Sequence, residues 1–501
     1  MLVVSDSDSY TKWGAALASR LPEGWHADLA LVLSDVLPSE RQLASALAGT
    51  KWAAAASPSP GSSEAATVGR SRPGSETSSE IRMPISRQRE AELADGSALT
   101  VARPSSGGQA PRRVHLDELA GLVRELRPDA VLLAFRGPLV RVAVGVLHGL
   151  EDRPVLIAGF PGLTIPAVPK AIIYREQVDL VVLHSRREVR EFTRLAADLP
   201  WAPRFGLATL PFLQTRAADA SAAPARNPDG DVVFAVQAKV PSTREERVHL
   251  IGVLAEAARR RPARRFIVKV RAQAGEAQTH AETFDLAGLM RDPAVTRELG
   301  FTLPANLLIE DGPMAAHLAR AAALVTVSST AVLEAIAAGV PALLLDDYGV
   351  GPKQLNVVFD GSGLFGDGAA LAAGEWRQPE PEWLDDNYFH GPEADDWVVQ
   401  LTELVAERSA APLPVLPRRH NLTGGKLRRA FERKRMLGPY DRTLLGGASM
   451  VVAVPSRAAL RAARRLRARL TGQTTVDPSQ PVAEARAAER IAVGQEPATG
   501  H

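Results

Sequence analysis

Three hydroxyl side chains in a row, Ser328-Ser329-Thr330, followed by Glu334 and then by Gly339-Val340-Pro341, form the stretch of this sequence best suited to chemistry. The hydroxyls follow the apolar run 323–327 directly and precede a helical run over 331–338, the place of a helix N-cap. A helix that starts straight after a parallel strand offers free backbone N–H groups and a positive dipole end to an anion. Gly339 stops that helix, and 342–345 reads as the next buried strand. Glu334, one turn in, lies near the same end and can take ribose hydroxyls. Together these features suit a nucleoside diphosphate. Alone, a Ser-Ser pair at that place needs no role beyond capping.

Ligands of open α/β sheets sit beyond the C-terminal ends of the strands, so other candidates are the residues at which strands stop. In the second half of the chain these are Gln237 and Lys239, the cations Lys269 and Arg271, and the loop 310–312 with Gly312. Lys269 and Arg271 would bring positive charge to a diphosphate; as plain strand-end residues they would need no ligand. In the first half, Asp6 and Asp8 follow the strand 2–4, where an ionised carboxylate can take the proton of an attacking hydroxyl. An Asp-x-Asp also suits a divalent cation, but its position after the first strand of a separate domain argues against that reading. The structural alternative is that Asp8 or Ser9 caps a helix over 10–21. Arg136 and the turn 160–162 are weaker candidates at the same edge, and His184 a minor base candidate. His317 reads as packing, and Glu245-Glu246 as helix-start carboxylates.

The elements that must position these residues alternate strictly. Strands at 2–4, 27–33, 130–135, 155–158 and 180–183 alternate with helices at 10–21, 39–48, 116–126, 139–150, 170–177 and 187–197. Near-continuous apolar strands separated by helices imply parallel sheets covered on both faces. The segment from about 53 to 112 interrupts the pattern; rich in Ser, Pro, Gly and Ala, it reads as a largely disordered insertion with a hairpin around 81–101. A linker at 217–230 (AADASAAPARNPDG) separates a first domain, 1–216, from a second α/β domain, 231–411. Residues 412–501 form a basic tail of helical pattern, with a strand expected only at 450–454. Between Arg418 and Arg469 there are fifteen Lys or Arg against Glu432 and Asp441, so the tail suits an anionic lipid surface or packing back over the domains. Missing aromatic interleaving argues against single-stranded nucleic acid.

Composition narrows the classes further. At 501 residues the chain exceeds one ordinary core, and 46% apolar content supports a folded protein. The absence of cysteine excludes disulfides, zinc–thiolate sites and thiol nucleophiles. No stretch approaches the 18 apolar residues of a membrane span and no signal peptide is apparent, so a cytoplasmic location is expected, with peripheral attachment to the inner face of the membrane through the tail.

The pattern strand, Ser-Ser-Thr, three residues, Glu-Ala, three residues, Gly-Val-Pro, strand resembles the C-terminal half of GT-B glycosyltransferases and their relatives. Glycerophosphotransferases and capsule-type transferases use a related Ser-rich turn and Glu, and UDP-N-acetylglucosamine 2-epimerases share the Ser-x4-Glu and Gly-x-Pro spacing. With the opening DSDSYTKW, the chain is also similar to uncharacterised actinobacterial proteins described as glycosyltransferases. The likeness covers about residues 1–400 without the insertion. It implies two Rossmann-like domains of GT-B type around a cleft. Ser328, Ser329 and Thr330 would then hold the donor phosphates and Glu334 the ribose. It also implies a metal-independent transferase with no cofactor beyond its nucleotide-sugar donor, acting on a glycan or lipid-linked acceptor in cell-envelope or polysaccharide biosynthesis. A sugar-nucleotide epimerase, a polyol-phosphate transferase and a degenerate binding protein are the alternatives. An epimerase would carry Gly-Gly after its Ser, where this chain has Ser329-Thr330.

Overall fold

The computed structural model describes residues 1–53, 110–197, 199, 201–211, 213, 227–270, 284–420, 422 and 425–450. Within them, two sheets form, and every pairing between their strands is parallel. The first contains β1 (Leu2–Ser5), β2 (Asp28–Val32), β3 (Arg112–Val114), β4 (Ala130–Ala134), β5 (Val155–Gly159), β6 (Leu180–Leu183) and β7 (Arg204–Leu207), in the order β3-β2-β1-β4-β5-β6-β7. The second contains β8 (Asp231–Ala235), β9 (Phe266–Lys269), β10 (Leu307–Glu310), β11 (Ala321–Thr326), β12 (Ala342–Leu345) and β13 (Phe365–Gly366), in the order β10-β9-β8-β11-β12-β13. Both sheets are wound outward in two directions from their first strand, as in Rossmann-like folds. Such winding leaves a crevice where the direction reverses. That point lies between β1 and β4 in one sheet and between β8 and β11 in the other.

Successive residues of the central strands face opposite cores. Val3, Leu132 and Ile157 pack with Trp13, Leu17 and Leu401, whereas Leu2, Val4, Val131 and Leu133 pack with Leu139, Val140 and Phe192. With both faces covered, no polar alternation is needed, which explains the apolar runs. Gly159 closes β5 beneath the Trp13 ring. A Cβ there would lie 2.5 Å from the ring, so only glycine lets the helix Asp8–Ala18 seat on this strand.

That helix begins two residues before its expected start. Ser7 takes the N-cap position, and Asp8 lies in the first turn, so neither Asp8 nor Ser9 is the cap. The helix expected at 170–177 is a short one, Pro169–Ile173. The helix Glu40–Leu47 carries a capping box from Ser39 and Gln42, and Arg244–Arg260 carries one from Thr243 and Glu246. The hairpin expected around 81–101, the strand expected at 450–454 apart from the helical Met450, and the arginine-rich run 456–470 lie outside the described residues.

The helix Trp397–Ala410 follows the second sheet in sequence but packs on the first, with Trp397, Leu401 and Leu404 in its core. The chain then runs along the same body. Arg153 donates to the Pro414 carbonyl at 2.7 Å and Gln177 to that of Leu416 at 2.8 Å. The helix Gly425–Leu437 lies on the helix Gly137–Leu147 and buries Leu437 completely. The described part of the basic tail therefore packs back over the first sheet.

Candidate active site

Both groups of candidate residues sit at the reversal points. In the second sheet, β8 leads into Gln237 and β11 into Ser328. The Gln237 side-chain carbonyl accepts the Ser328 N–H at 2.7 Å, and the Thr326 hydroxyl donates to the Ala235 carbonyl at 2.9 Å. These bonds hold the two strand ends together and set the start of the helix Ala331–Ala337. Thr330 occupies its N-cap position without a side-chain cap bond, while the Ser329 hydroxyl accepts the Ala331 N–H at 3.2 Å. A cavity of about 210 Å³ opens there, lined by Lys269, Ser329, Thr330 and Glu334 together with Ala235, Val236, Met314 and Ala331. Four of the expected donor-site residues thus meet in one small space.

Ser328 does not join them. Its hydroxyl donates to the Leu355 carbonyl at 2.6 Å and its N–H is taken by Gln237, so it serves the loop after β12 rather than an anion. Gly312 does not line the cavity either. With φ +99° it makes the turn from β10 into the helix Met314–Leu318, a conformation that favours glycine. Arg271 lies outside the described residues. His317 is buried, with Nε2 at 2.7 Å from the Asp311 carbonyl, which agrees with a packing role. A larger cavity, about 770 Å³, opens at the other end of the sheet beside Ala321, Pro341 and Trp376. That is the N-terminal end of β11 and β12, the wrong edge for chemistry in such a fold.

The first sheet's reversal point is built differently. Asp6 follows β1 with no exposure, and its Oδ2 accepts from Arg136 Nε and Nη2 at 3.1 and 2.9 Å. The neighbouring Ser7 hydroxyl is buried beside the same carboxylate and helps to hold its charged form. Burial raises the Asp6 carboxyl above its ordinary range, against the lowering pull of Arg136. Asp8, half-buried, starts the adjoining helix. Deeper in lies Arg175, which donates to the Gly159 carbonyl at 3.0 Å and lies over the Phe160 ring at 3.8 Å. Burial lowers its basicity and raises the pKa of nearby Tyr10.

His184 is structural. With Nδ1–H donated to the Ala208 carbonyl at 2.7 Å, Nε2 accepts from the Trp13 indole at 2.8 Å, and burial lowers the imidazole pKa. A ring spent on both sides and closed to solvent has no capacity for base work.

The two reversal points approach each other. A Cβ on Gly162, in the loop after β5, would lie 3.5 Å from the Thr330 methyl. The sequence reading missed a pair close by that links the two halves of the chain, namely Glu188 and Tyr388, both fully buried. Ser185-Arg-Arg-Glu188 carries the spacing of a capping box, and Ser185 does accept the Glu188 N–H at 3.0 Å. That pattern explains the residue as local, whereas its Tyr388 contact spans 200 positions. Among the described residues, no group of three or more His, Cys, Asp or Glu gathers as metal ligands, and no helix is long and apolar enough to cross a membrane.

The chain matches a family model described as "Putative glycosyltransferase (DUF6716)" over residues 1–75 and 77–404. It belongs to that family. No curated protein sequence matches it. Among solved structures it is similar to S. aureus MnaA with UDP, at 9% identity and TM-score 0.43, over 81% of this chain and 94% of that one. Sucrose-phosphate synthase from Thermosynechococcus elongatus is also similar, at 12% identity and TM-score 0.38, over 82% and 97%.

Proposed function

We propose that this glycosyltransferase-family protein moves a sugar from a nucleotide-activated donor to the hydroxyl of a glycan or lipid-linked acceptor. The observation that carries this reading is the cavity where Lys269, Ser329, Thr330 and Glu334 converge at the second sheet's reversal point. Lys269 neutralises charge as it develops on the leaving diphosphate, and the Ser329 and Thr330 groups hold phosphate oxygens. Glu334 takes the ribose hydroxyls. With Lys269 supplying the positive charge, the reaction is metal-independent and needs no cofactor beyond the donor itself.

The acceptor lies against the first sheet. Of the two carboxylates there, Asp8 is the accessible one and takes the proton of the attacking hydroxyl. Asp6 is sealed and paired, and acts by holding Arg136 at the edge of the crevice. Pathway placement in cell-envelope or polysaccharide synthesis follows from a lipid-linked acceptor. It is supported by the C-terminal arm, which exposes Leu427, Leu444 and Leu445 as well as Lys426, Arg429 and Arg435, a composition that suits an anionic bilayer at the inner face of the membrane.

Thermal-shift measurements with UDP, GDP, CDP, CMP and their sugars test the donor half, with stabilisation by at least one nucleoside diphosphate expected. No stabilisation by any of them would sink the assignment. Incubation with the sugar nucleotide that binds, without acceptor, separates the alternatives, because an epimerase converts it alone and a transferase does not.

A further inference from the structure

Glu188 is a carboxylate with no exposure, yet among the described residues no Lys or Arg forms an ion pair with it. Its charge is met instead by three hydrogen-bond donors from three separate segments. The Thr164 N–H donates at 3.0 Å from the loop after β5, the His184 N–H at 2.8 Å from the end of β6, and the Tyr388 hydroxyl at 2.7 Å. A buried carboxylate so satisfied rigidifies the groups around it, since losing any donor leaves charge uncompensated.

Tyr388 comes from the second half of the chain. It is fully buried at φ +71°, a left-handed conformation that a bulky residue adopts only where its surroundings demand it. Burial, with Glu188 beside it, raises the phenol pKa well above its ordinary value, so the hydroxyl remains a donor. Behind it, the Asn387 amide donates to the Trp383 carbonyl at 3.0 Å, and the Trp383 indole donates to the Val358 carbonyl at 3.0 Å. Val358 lies three residues beyond Leu355, whose carbonyl takes the Ser328 hydroxyl. On the other side, Thr164 lies two residues from Gly162, which faces Thr330.

We propose that Glu188 and Tyr388 form a strut between the two sheets, holding the loop 159–164 over the donor cavity and setting how far the cleft opens. Both are positioning residues; neither lines the cavity. The helix Arg186–Ala196 carries the strut together with lighter supports. Arg190 pairs with Asp386 at 2.5 Å and Arg187 donates to Val358 at 3.4 Å, but the Arg190 pair is half-exposed, so it contributes little. The effect on nucleotide binding rests on the donor site proposed above, whereas the effect on cleft opening does not.

Tyr388→Phe removes one hydroxyl and keeps the buried ring, so the variant should fold. Three readouts are compared on full-length protein: amide hydrogen exchange in the loop 159–166, the radius of gyration from small-angle scattering, and affinity for whichever nucleoside diphosphate stabilises the wild type. The strut predicts exchange in that loop accelerated about tenfold, a measurably larger radius, and nucleotide affinity weakened about tenfold, the loss of one hydrogen bond to a charged group. Glu188→Gln, which turns one of the two acceptor oxygens into a donor facing a donor, should move all three in the same direction as Tyr388→Phe, and Arg190→Ala should match wild type. Loop exchange and radius equal to wild type in Tyr388→Phe would overturn the proposal. If no nucleoside diphosphate binds even the wild type, the donor reading fails while exchange and scattering still decide the strut.

Discussion

The two reversal points share a topology and differ in everything set upon it. At β1/β4 the polar groups are sealed: Asp6 against Arg136, Arg175 over Phe160, and His184 between Trp13 and Ala208. At β8/β11 the side chains of Lys269, Met314 and Glu334 stand around a cavity together with the hydroxyl residues Ser329 and Thr330. A buried charge is held in place because each missing partner costs dearly, so the first site is rigid but intolerant. A half-exposed lysine beside peptide N–H groups tolerates loss more easily and can receive an anion that arrives and leaves. On the function proposed above, identical winding serves as a shaped wall on one side of the cleft and as a dock on the other.

Substitutions at the two sites should separate stability from binding. The largest effect is expected for Arg136→Ala, which strands the Asp6 carboxylate in the interior. Breaking such a pair from one side costs about 3 kcal/mol, to be read as a fall in the urea midpoint. A cost under about 1 kcal/mol would mean that water reaches Asp6 and that the sealed description is wrong. At the dock, Lys269→Ala should leave the urea midpoint within about 0.5 kcal/mol of wild type. Nucleoside diphosphate affinity should nevertheless fall about 10- to 100-fold by calorimetry, as a charge-assisted contact is lost. A change in stability larger than the change in binding would reverse the contrast between the two regions.

The same contrast explains what the sequence could and could not reveal. Central strands such as β4, AVLLA, and β12, ALLL, are buried on both faces and declare themselves as apolar runs. Edge strands do not. β7, Arg-Phe-Gly-Leu, and β10, Leu-Leu-Ile-Glu, are half-exposed and four residues long, so propensity alone reads them as loop; sheet pairing decides them. The dock was legible because a strand, its capping hydroxyls and Glu334 are contiguous. Ser328 was misread within it because its partner, Leu355, lies 27 residues on. The sealed site and the strut were less legible still. Asp6 meets Arg136 across 130 positions, and no local pattern distinguishes that carboxylate from a solvated one.

Adjacent serines give a smaller and sharper test. Ser328→Ala should cost about 1 kcal/mol of stability by loosening the loop at Leu355 and leave nucleotide affinity within twofold. Ser329→Ala, which lines the cavity, should weaken nucleotide binding severalfold. Equal effects of the two on binding would return Ser328 to the phosphate site.

The smallest effect is a pH slope confined to the sealed side. His184 is buried neutral, with its pKa below the ordinary 6.5, whereas in the unfolded chain it titrates normally. At this ring the unfolded state therefore binds more protons than the folded one below pH 6.5, so the His184 contribution to stability falls as pH falls. If the folded ring takes up no proton, the loss from pH 6.5 to 6.0 reaches at most about 0.4 kcal/mol. Urea titrations of wild type and His184→Gln at both pH values measure it. The variant carries its own stability cost at each pH, so the difference in slope is the quantity that reports on the ring. Equal slopes would mean that His184 protonates in the folded state, with Nε2–H turned to the Phe160 carbonyl 3.0 Å away, against the burial that lowers its pKa.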